Sequence, residues 1–235
     1  MFFKLDPFNM YCPIIRSLAD PGANEVAITI DDGPNSCTTL ALLDLLDEHK
    51  GKATFFLSGF RAIKNPELVE EIVLRGHAIY SHGWDHKRLD KLPYGELSRS
   101  MNLCELLLRK YRPTPSIYLA RIPFNSGYRK FAVHRELKNW IPRCQIAHWS
   151  LQTRDHAFSD RFGNDANPIV RIRDEILRLL QMQLKPGAVI LMHDLPIKDD
   201  LINDLDIQFT ISTMKFLLEE LTSQGFRSVV LRPKV

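Results

Sequence analysis

Short apolar runs alternate with amphipathic stretches along this 235-residue chain. Residues 26–30 form an apolar run that stops at Asp31-Asp32-Gly33-Pro34, which predicts a strand running into a turn. Residues 38–49 place Leu42, Leu43 and Leu46 on one helical face, and residues 53–57 are the next strand. Asn65-Pro66 reads as an N-cap and first helical residue, Gly76 ends that helix, and residues 78–81 form a third strand. Leu97, Met101, Cys104 and Leu108 then recur at helical spacing, ahead of strands predicted over 117–120 and 145–149. A helix opened by Asn167-Pro168 carries Ile169, Ile172, Ile176 and Leu180 on one face. Residues 188–192 are a continuous apolar run of the kind buried in a parallel sheet. Ile211, Met214, Leu218 and Leu221 mark the last helix, and residues 228–231 the last strand.

Strand then helix, about seven times over in one domain, predicts a parallel α/β architecture. A barrel and a doubly wound sheet both fit. In either, side chains that do chemistry belong at the C-terminal ends of the strands.

Composition narrows the function classes. With 45% hydrophobic and 25% charged residues, the chain reads as an ordinary globular domain that can bury a core without disulfides. Its net charge is only +3, and no Lys/Arg block is interleaved with aromatics, so nucleic acid is not an expected partner. A mildly basic surface is compatible with peripheral contact to an anionic membrane. The cysteines (Cys12, Cys37, Cys104 and Cys144) lack zinc-knuckle spacing and read as free thiols, mostly buried, in a reducing compartment. Met1, Phe2, Phe3, Phe8, Met10, Tyr11, Ile14 and Ile15 make the N-terminus apolar, but Lys4, Asp6 and Pro7 break it up. No signal peptide and no run long enough to span a bilayer is seen, so a cytoplasmic location is expected. Residues 1–24 are expected to pack as an extension on a domain spanning 25–235.

The polar residues at the predicted strand ends carry the chemistry. Asp31 and Asp32 follow the first strand, His82 and His86 the third, and Arg121 the next. Asp155 lies beyond Trp149, and His193-Asp194 follow the 188–192 run. A parallel barrel brings all these positions to one face. His82 and His86 are spaced so that both rings can reach one ion, and two His with one carboxylate leave open coordination positions. Read singly, each feature also has a bland explanation. An HxxxH pair can be surface histidines, Asp-Asp-Gly-Pro can be a turn, and Trp149 can be core.

Taken together, the features resemble a known family. The stretch AITIDDGPNSCTTLALLDLLDEHKGKATFFLSG is similar to the opening of the polysaccharide deacetylase family, also called the NodB-homology or carbohydrate esterase family 4 domain. TIDDGP resembles that family's TFDDGP, and SHGWDH its histidine motif. Arg121-Ile122-Pro123-Phe124 resembles its RxP[FY] motif, the segment from Trp149 to His156 its W-x-x-D pattern, and Leu191-Met192-His193 its L-x-H strand end. The motifs stand in the family's order between about residues 25 and 231.

The resemblance implies a distorted parallel (β/α) barrel and a metal-dependent carbohydrate N-deacetylase. It implies that Asp32, His82 and His86 bind a divalent metal, zinc before cobalt, nickel, manganese or magnesium. Asp31 would be the general base, held by Arg121, and His193 the general acid, tuned by Asp155. Trp149 and Leu191 would line the acetyl pocket, and the backbone N–H of Phe124 would face the oxyanion. The implied partner is an N-acetylated saccharide in a polysaccharide, an oligosaccharide or a lipid-linked form. Three positions depart from the family pattern: Gly83 where Ser or Thr is usual, Gln152 where Asp is common, and His156 in place of Trp. An O-acetyl esterase or small-amide hydrolase would use the same site, and an inactive saccharide-binding barrel would share the fold.

Overall fold

The structure, a computed structural model, describes residues 11–195 and 203–234. The apolar positions Met1, Phe2, Phe3, Phe8 and Met10 lie outside them. The strands are β1 (Ile14–Ile15), β2 (Glu25–Asp31), β3 (Ala53–Leu57), β4 (Ala78–Ser81), β5 (Tyr118–Ala120), β6 (Cys144–Ala147), β7 (Leu151–Gln152), β8 (Val189–His193) and β9 (Arg227–Ser228). The helices are α1 (Thr39–Glu48), α2 (Gly59–Ala62), α3 (Pro66–Leu74), α4 (Glu96–Leu108), α5 (Phe131–Trp140), α6 (Phe158–Phe162), α7 (Pro168–Gln183) and α8 (Asp204–Ser223). The strands form one sheet in the order β1-β6-β5-β4-β3-β2-β8-β7, with β9 added beside β2. All the ladder pairings are parallel.

Alternation along the strands sorts residues between two surfaces. Ala27, Phe56, Tyr80, Leu119, Ala147 and Val189 form one cluster with Ile15, on the inner face of the curled sheet. Ile28, Ile30, Phe55, Leu57, Ile79, Ile190 and Met192 point the other way, into a core shared with α1, α3, α7 and α8. A separate outer cluster joins Ala120 and Ile146 to Met101 of α4 and Leu137 of α5. Each fully buried aliphatic side chain contributes roughly 1.5–3 kcal/mol through burial. The inner parity continues past the apolar residues: Thr29 leads to Asp31, Tyr80 to His82, Leu119 to Arg121 and Leu191 to His193. The strand period therefore aims these polar side chains into the mouth of the barrel.

The sheet is a barrel with an irregular seam between β6 and β8. Residues 14–18 cross one side of it: Ile14 and Ile15 pair with Ile146 and Ala147, and Ser17 bridges to Ala188. The chain leaving β6 crosses the other side, where His148 N donates to Ile15 O and Ser150 N donates to Val189 O. Residue 151 is then already paired with β8.

The sequence anticipates about seven strands, and the two-residue β1 and β7 at this seam are the additions. The strand expected to reach Trp149 ends at Ala147, and that expected over 228–231 shortens to Arg227–Ser228. Helix α5 went unforeseen; its buried side carries His134 and Glu136 beside Val133 and Leu137. Cys12, Cys104 and Cys144 are buried and Cys37 is exposed, all as free thiols. Among the described residues no helix is long and apolar enough to cross a membrane.

Candidate active site

A cavity of about 520 Å³ opens at the C-terminal ends of the strands. Its lining includes Asp31, Asp32, His82, His86, Phe124, Trp149, Leu191 and His193. Of the remaining candidates, Arg121 and Asp155 lie immediately behind it, each in contact with a lining side chain.

Asp32, His82 and His86 converge at one end. Asp32 is buried at the close of β2 with φ of 74°, a left-handed conformation uncommon for a residue with a side chain. Its Oδ1 lies 3.4 Å from His82 Nε2 and 3.1 Å from His86 Nε2. All three ligand atoms fall within 4.8 Å of one another. His82 Nδ1 is 2.8 Å from the Arg121 carbonyl oxygen. A carbonyl can only accept, so Nδ1 carries the proton, and in the neutral ring Nε2 presents a lone pair toward the carboxylate. Two such donor atoms facing each other need a cation or a second proton between them. An N,N,O set of this kind, with one imidazole oriented through its other nitrogen, fits a zinc-class divalent ion. Burial alone would raise the Asp32 carboxyl. The neighbouring His82, His86 and His193 rings outweigh it and hold Asp32 well below the usual range. His86 is lowered, chiefly by burial.

The loop between the two histidines explains Gly83. Its φ is 81°, which favours glycine over the hydroxyl residue usual in the family. Bracing comes from elsewhere: Ser81 Oγ accepts from Gly83 N at 3.1 Å, and Ser100 Oγ accepts from Trp84 N at 2.8 Å.

The other end is built for protons. Register pairs Asp31 directly with His193 across β2 and β8. Arg121, 1% exposed, donates to Asp31 Oδ1 at 3.1 Å, to Thr29 Oγ1 at 3.1 Å and to the Ala147 carbonyl at 2.8 Å. Its guanidinium also lies over the Phe56 ring, 4.5 Å from the centroid. His193 Nδ1 donates to Asp155 Oδ1 at 2.8 Å, while the His193 backbone N–H donates to Asp155 Oδ2 at 2.7 Å. Burial opposes the charge on His193, but the Asp155 charge and hydrogen bond, with help from Asp32 and Asp31, raise it to about 9. Asp155 is lowered in return: burial pushes it up, and the charge and hydrogen bonds of His193 prevail. His156, at the rim, sets its ring 5.2 Å from that of His193. Burial first, then the charge of His193, lowers it.

Leu191 is buried on the inner face, and Trp149 lies half-buried between the His148 ring, stacked at 4.2 Å, and the Arg121 guanidinium at 5.4 Å. Phe124 has φ of 57°, an unusual conformation for a bulky residue, and holds its ring 4.5 Å from His86.

Arg61 escaped the sequence reading, because Phe60-Arg61-Ala62 offers no motif. Its Nη1 donates to the carbonyls of Asp32 (3.2 Å), Asp194 (3.2 Å) and Leu195 (2.8 Å), tying the Asp32 loop to the loop after His193. Asp194 completes the tie. Its carboxylate accepts from Thr38 Oγ1 at 2.6 Å and from Thr39 Oγ1, and its N–H donates to Asp31 O at 2.8 Å. A Cβ at residue 33 would stand 2.7 Å from Asp194 Oδ2, so this packing requires Gly33.

Comparison with known proteins agrees with this architecture. Residues 19–138, about half of the chain, match the profile of the family described as polysaccharide deacetylase. A chitooligosaccharide deacetylase from Sinorhizobium fredii is 32% identical over 208 residues, covering 87% of this chain and 89% of that protein. The peptidoglycan deacetylase PdaC from Bacillus subtilis superposes with a TM-score of 0.69 at 25% identity, over 90% of each chain. A CE4 family pseudoenzyme from Bacillus anthracis has the same fold, with a TM-score of 0.71 at 19% identity over 92% of this chain and 66% of that one. Fold alone therefore does not decide catalysis, and the side chains must.

Proposed function

The chain belongs to the polysaccharide deacetylase family, and from that premise we propose that it hydrolyses the N-acetyl group of an amino sugar with the help of a divalent metal. The observation that carries the reading is the pairing of an N,N,O donor set with a separate acid–base pair across one cavity. Asp32, His82 and His86 hold the metal, zinc being the best match to the donors. When bound, it supplies Lewis acidity toward the amide carbonyl and makes water a better nucleophile.

The protein's own groups manage the protons. Arg121 engages Asp31 Oδ1 and leaves Oδ2 to accept a proton from the attacking water. His193, charged through Asp155, presents its remaining nitrogen, Nε2, to protonate the departing amine. Amide and water thus give acetate and a free amino sugar. The Phe124 backbone N–H serves the developing oxyanion, and Leu191 and Trp149 enclose the acetyl methyl group. An inactive binding barrel fits poorly, since no ligand, base or acid of the set is missing.

Metal content and acetate release, measured together on N-acetylated oligosaccharides, test this. Wild type should carry about one divalent ion and release acetate. His82→Ala should lose the ion. Asp31→Asn should keep it and lose on the order of a thousandfold in kcat. Wild type that takes up no divalent ion from excess would sink the proposal.

A further inference from the structure

We propose that a groove beside the catalytic cavity holds neighbouring sugars of the substrate and selects, through Arg154, saccharides that carry a carboxylate. This rests on the deacetylase reading and extends it to substrate class.

A second cavity, of about 410 Å³, shares Trp149 and Gln152 with the catalytic one. A third, of about 230 Å³ along α6 and α7, shares Glu175 and Arg178 with the second. Through these shared residues the second cavity adjoins the catalytic one, and the third adjoins the second. Beyond Trp149 the lining sets polar and charged side chains such as Gln152, Arg154 and Glu175 beside the apolar Leu179 and Met182, a mixture suited to a glycan chain.

The cations along these cavities differ in how they are held. Arg178 and Arg161 both pair with Glu175, and Arg171 pairs with Asp165. Arg154 lines the second cavity, yet among the described residues it donates no hydrogen bond and joins no ion pair. Its backbone is also left-handed, with φ of 59°. That conformation is uncommon for a residue with a side chain; it lets the Arg154 carbonyl accept from Ala157 N at 3.0 Å, while the guanidinium itself is left without a hydrogen bond or ion pair among the described residues. On either side, Thr153 and Asp155 are fixed by the hydrogen bond between them. The geometry thus presents an uncommitted guanidinium, a fork suited to carboxylates, next to the acid–base pair. Gln152, neutral where the family often has Asp, puts no negative charge between Arg154 and the catalytic cavity.

The test compares two N-acetylated oligosaccharides of equal length, one neutral and one with carboxylate-bearing ethers on alternate sugars. Wild type should prefer the charged chain in kcat/KM by about fivefold, less at high salt. Arg154→Ala should remove that preference and Arg154→Lys retain part of it. Equal rates on both substrates in wild type, or an equal loss on both in Arg154→Ala, overturn the proposal. If neither chain is hydrolysed, the deacetylase reading falls by itself. Calorimetric titration of the same two chains then decides the groove: tighter binding of the charged chain, weakened in Arg154→Ala, supports it, and indifference to charge overturns it.

Discussion

Two clusters in one cavity use the same residue types, one Asp and two His, at similar spacing. In Asp32, His82 and His86 the imidazole Nε2 atoms turn toward a shared carboxylate oxygen, and the outward Nδ1 of His82 is tied to a backbone carbonyl. In Asp155, His156 and His193 the carboxylate is consumed by His193, which gives it both a ring and a backbone N–H. His156 only stacks nearby. The first cluster leaves lone pairs converging and suits a cation. The second leaves a proton on a histidine and suits an acid. Composition does not separate them; the atom that each ring turns toward does.

The sharpest way to break this comparison is to exchange Asp for Asn in each cluster. Asp32→Asn should lose both the divalent ion and activity. Asp155→Asn should retain the ion while kcat falls about a hundredfold or more. Equal metal loss in the two variants, measured by elemental analysis, would show that the clusters are not distinct.

A next effect is a shift in pH dependence. Because Asp155 supports the charge on His193, Asp155→Asn should move the alkaline limb of the kcat profile to lower pH. A limb that stays in place would remove His193 from the role of acid.

Arg61 offers a smaller perturbation. Arg61→Gln breaks the tie between the Asp32 loop and the 194–195 loop without touching a ligand, and should weaken metal affinity by about tenfold. Competition with a chelator measures this, and wild-type affinity would contradict it.

The smallest effect is on metal-free stability. The pKa of His193 is raised from 6.5 to about 9 on folding, so its pairing stabilises fully below pH 6.5 and fades as pH rises through about 9. The pKa of Asp155 is depressed, so its share is present above the ordinary carboxylate range and fades on acidification. The gap in melting temperature between wild type and Asp155→Asn should therefore be widest just below pH 6.5 and shrink on either side. A constant gap from pH 6 to 10 would contradict the pairing.

The sequence by itself determined the parallel α/β plan and the placement of polar residues at strand ends. Both follow from local information: a two-residue period shows which side chains share a face, and a polar residue after an apolar run shows where a strand stops. Motif order likewise singled out Asp31, Asp32, His82, His86, Arg121, Asp155 and His193. What only the tertiary structure decided is which of these meet and through which atoms. Asp31 lies beside His193 because of strand register across 162 residues of chain. Arg121 divides its donors among Asp31 and Thr29 of β2 and Ala147 of β6. Arg61 carries no pattern because its partners are backbone carbonyls, which every residue offers. The seam crossed by residues 14–18 was equally hidden, since a two-residue strand is too short to show a period. Periodicity is written along the chain, whereas register, closure and hydrogen-bond direction arise only when distant segments pack.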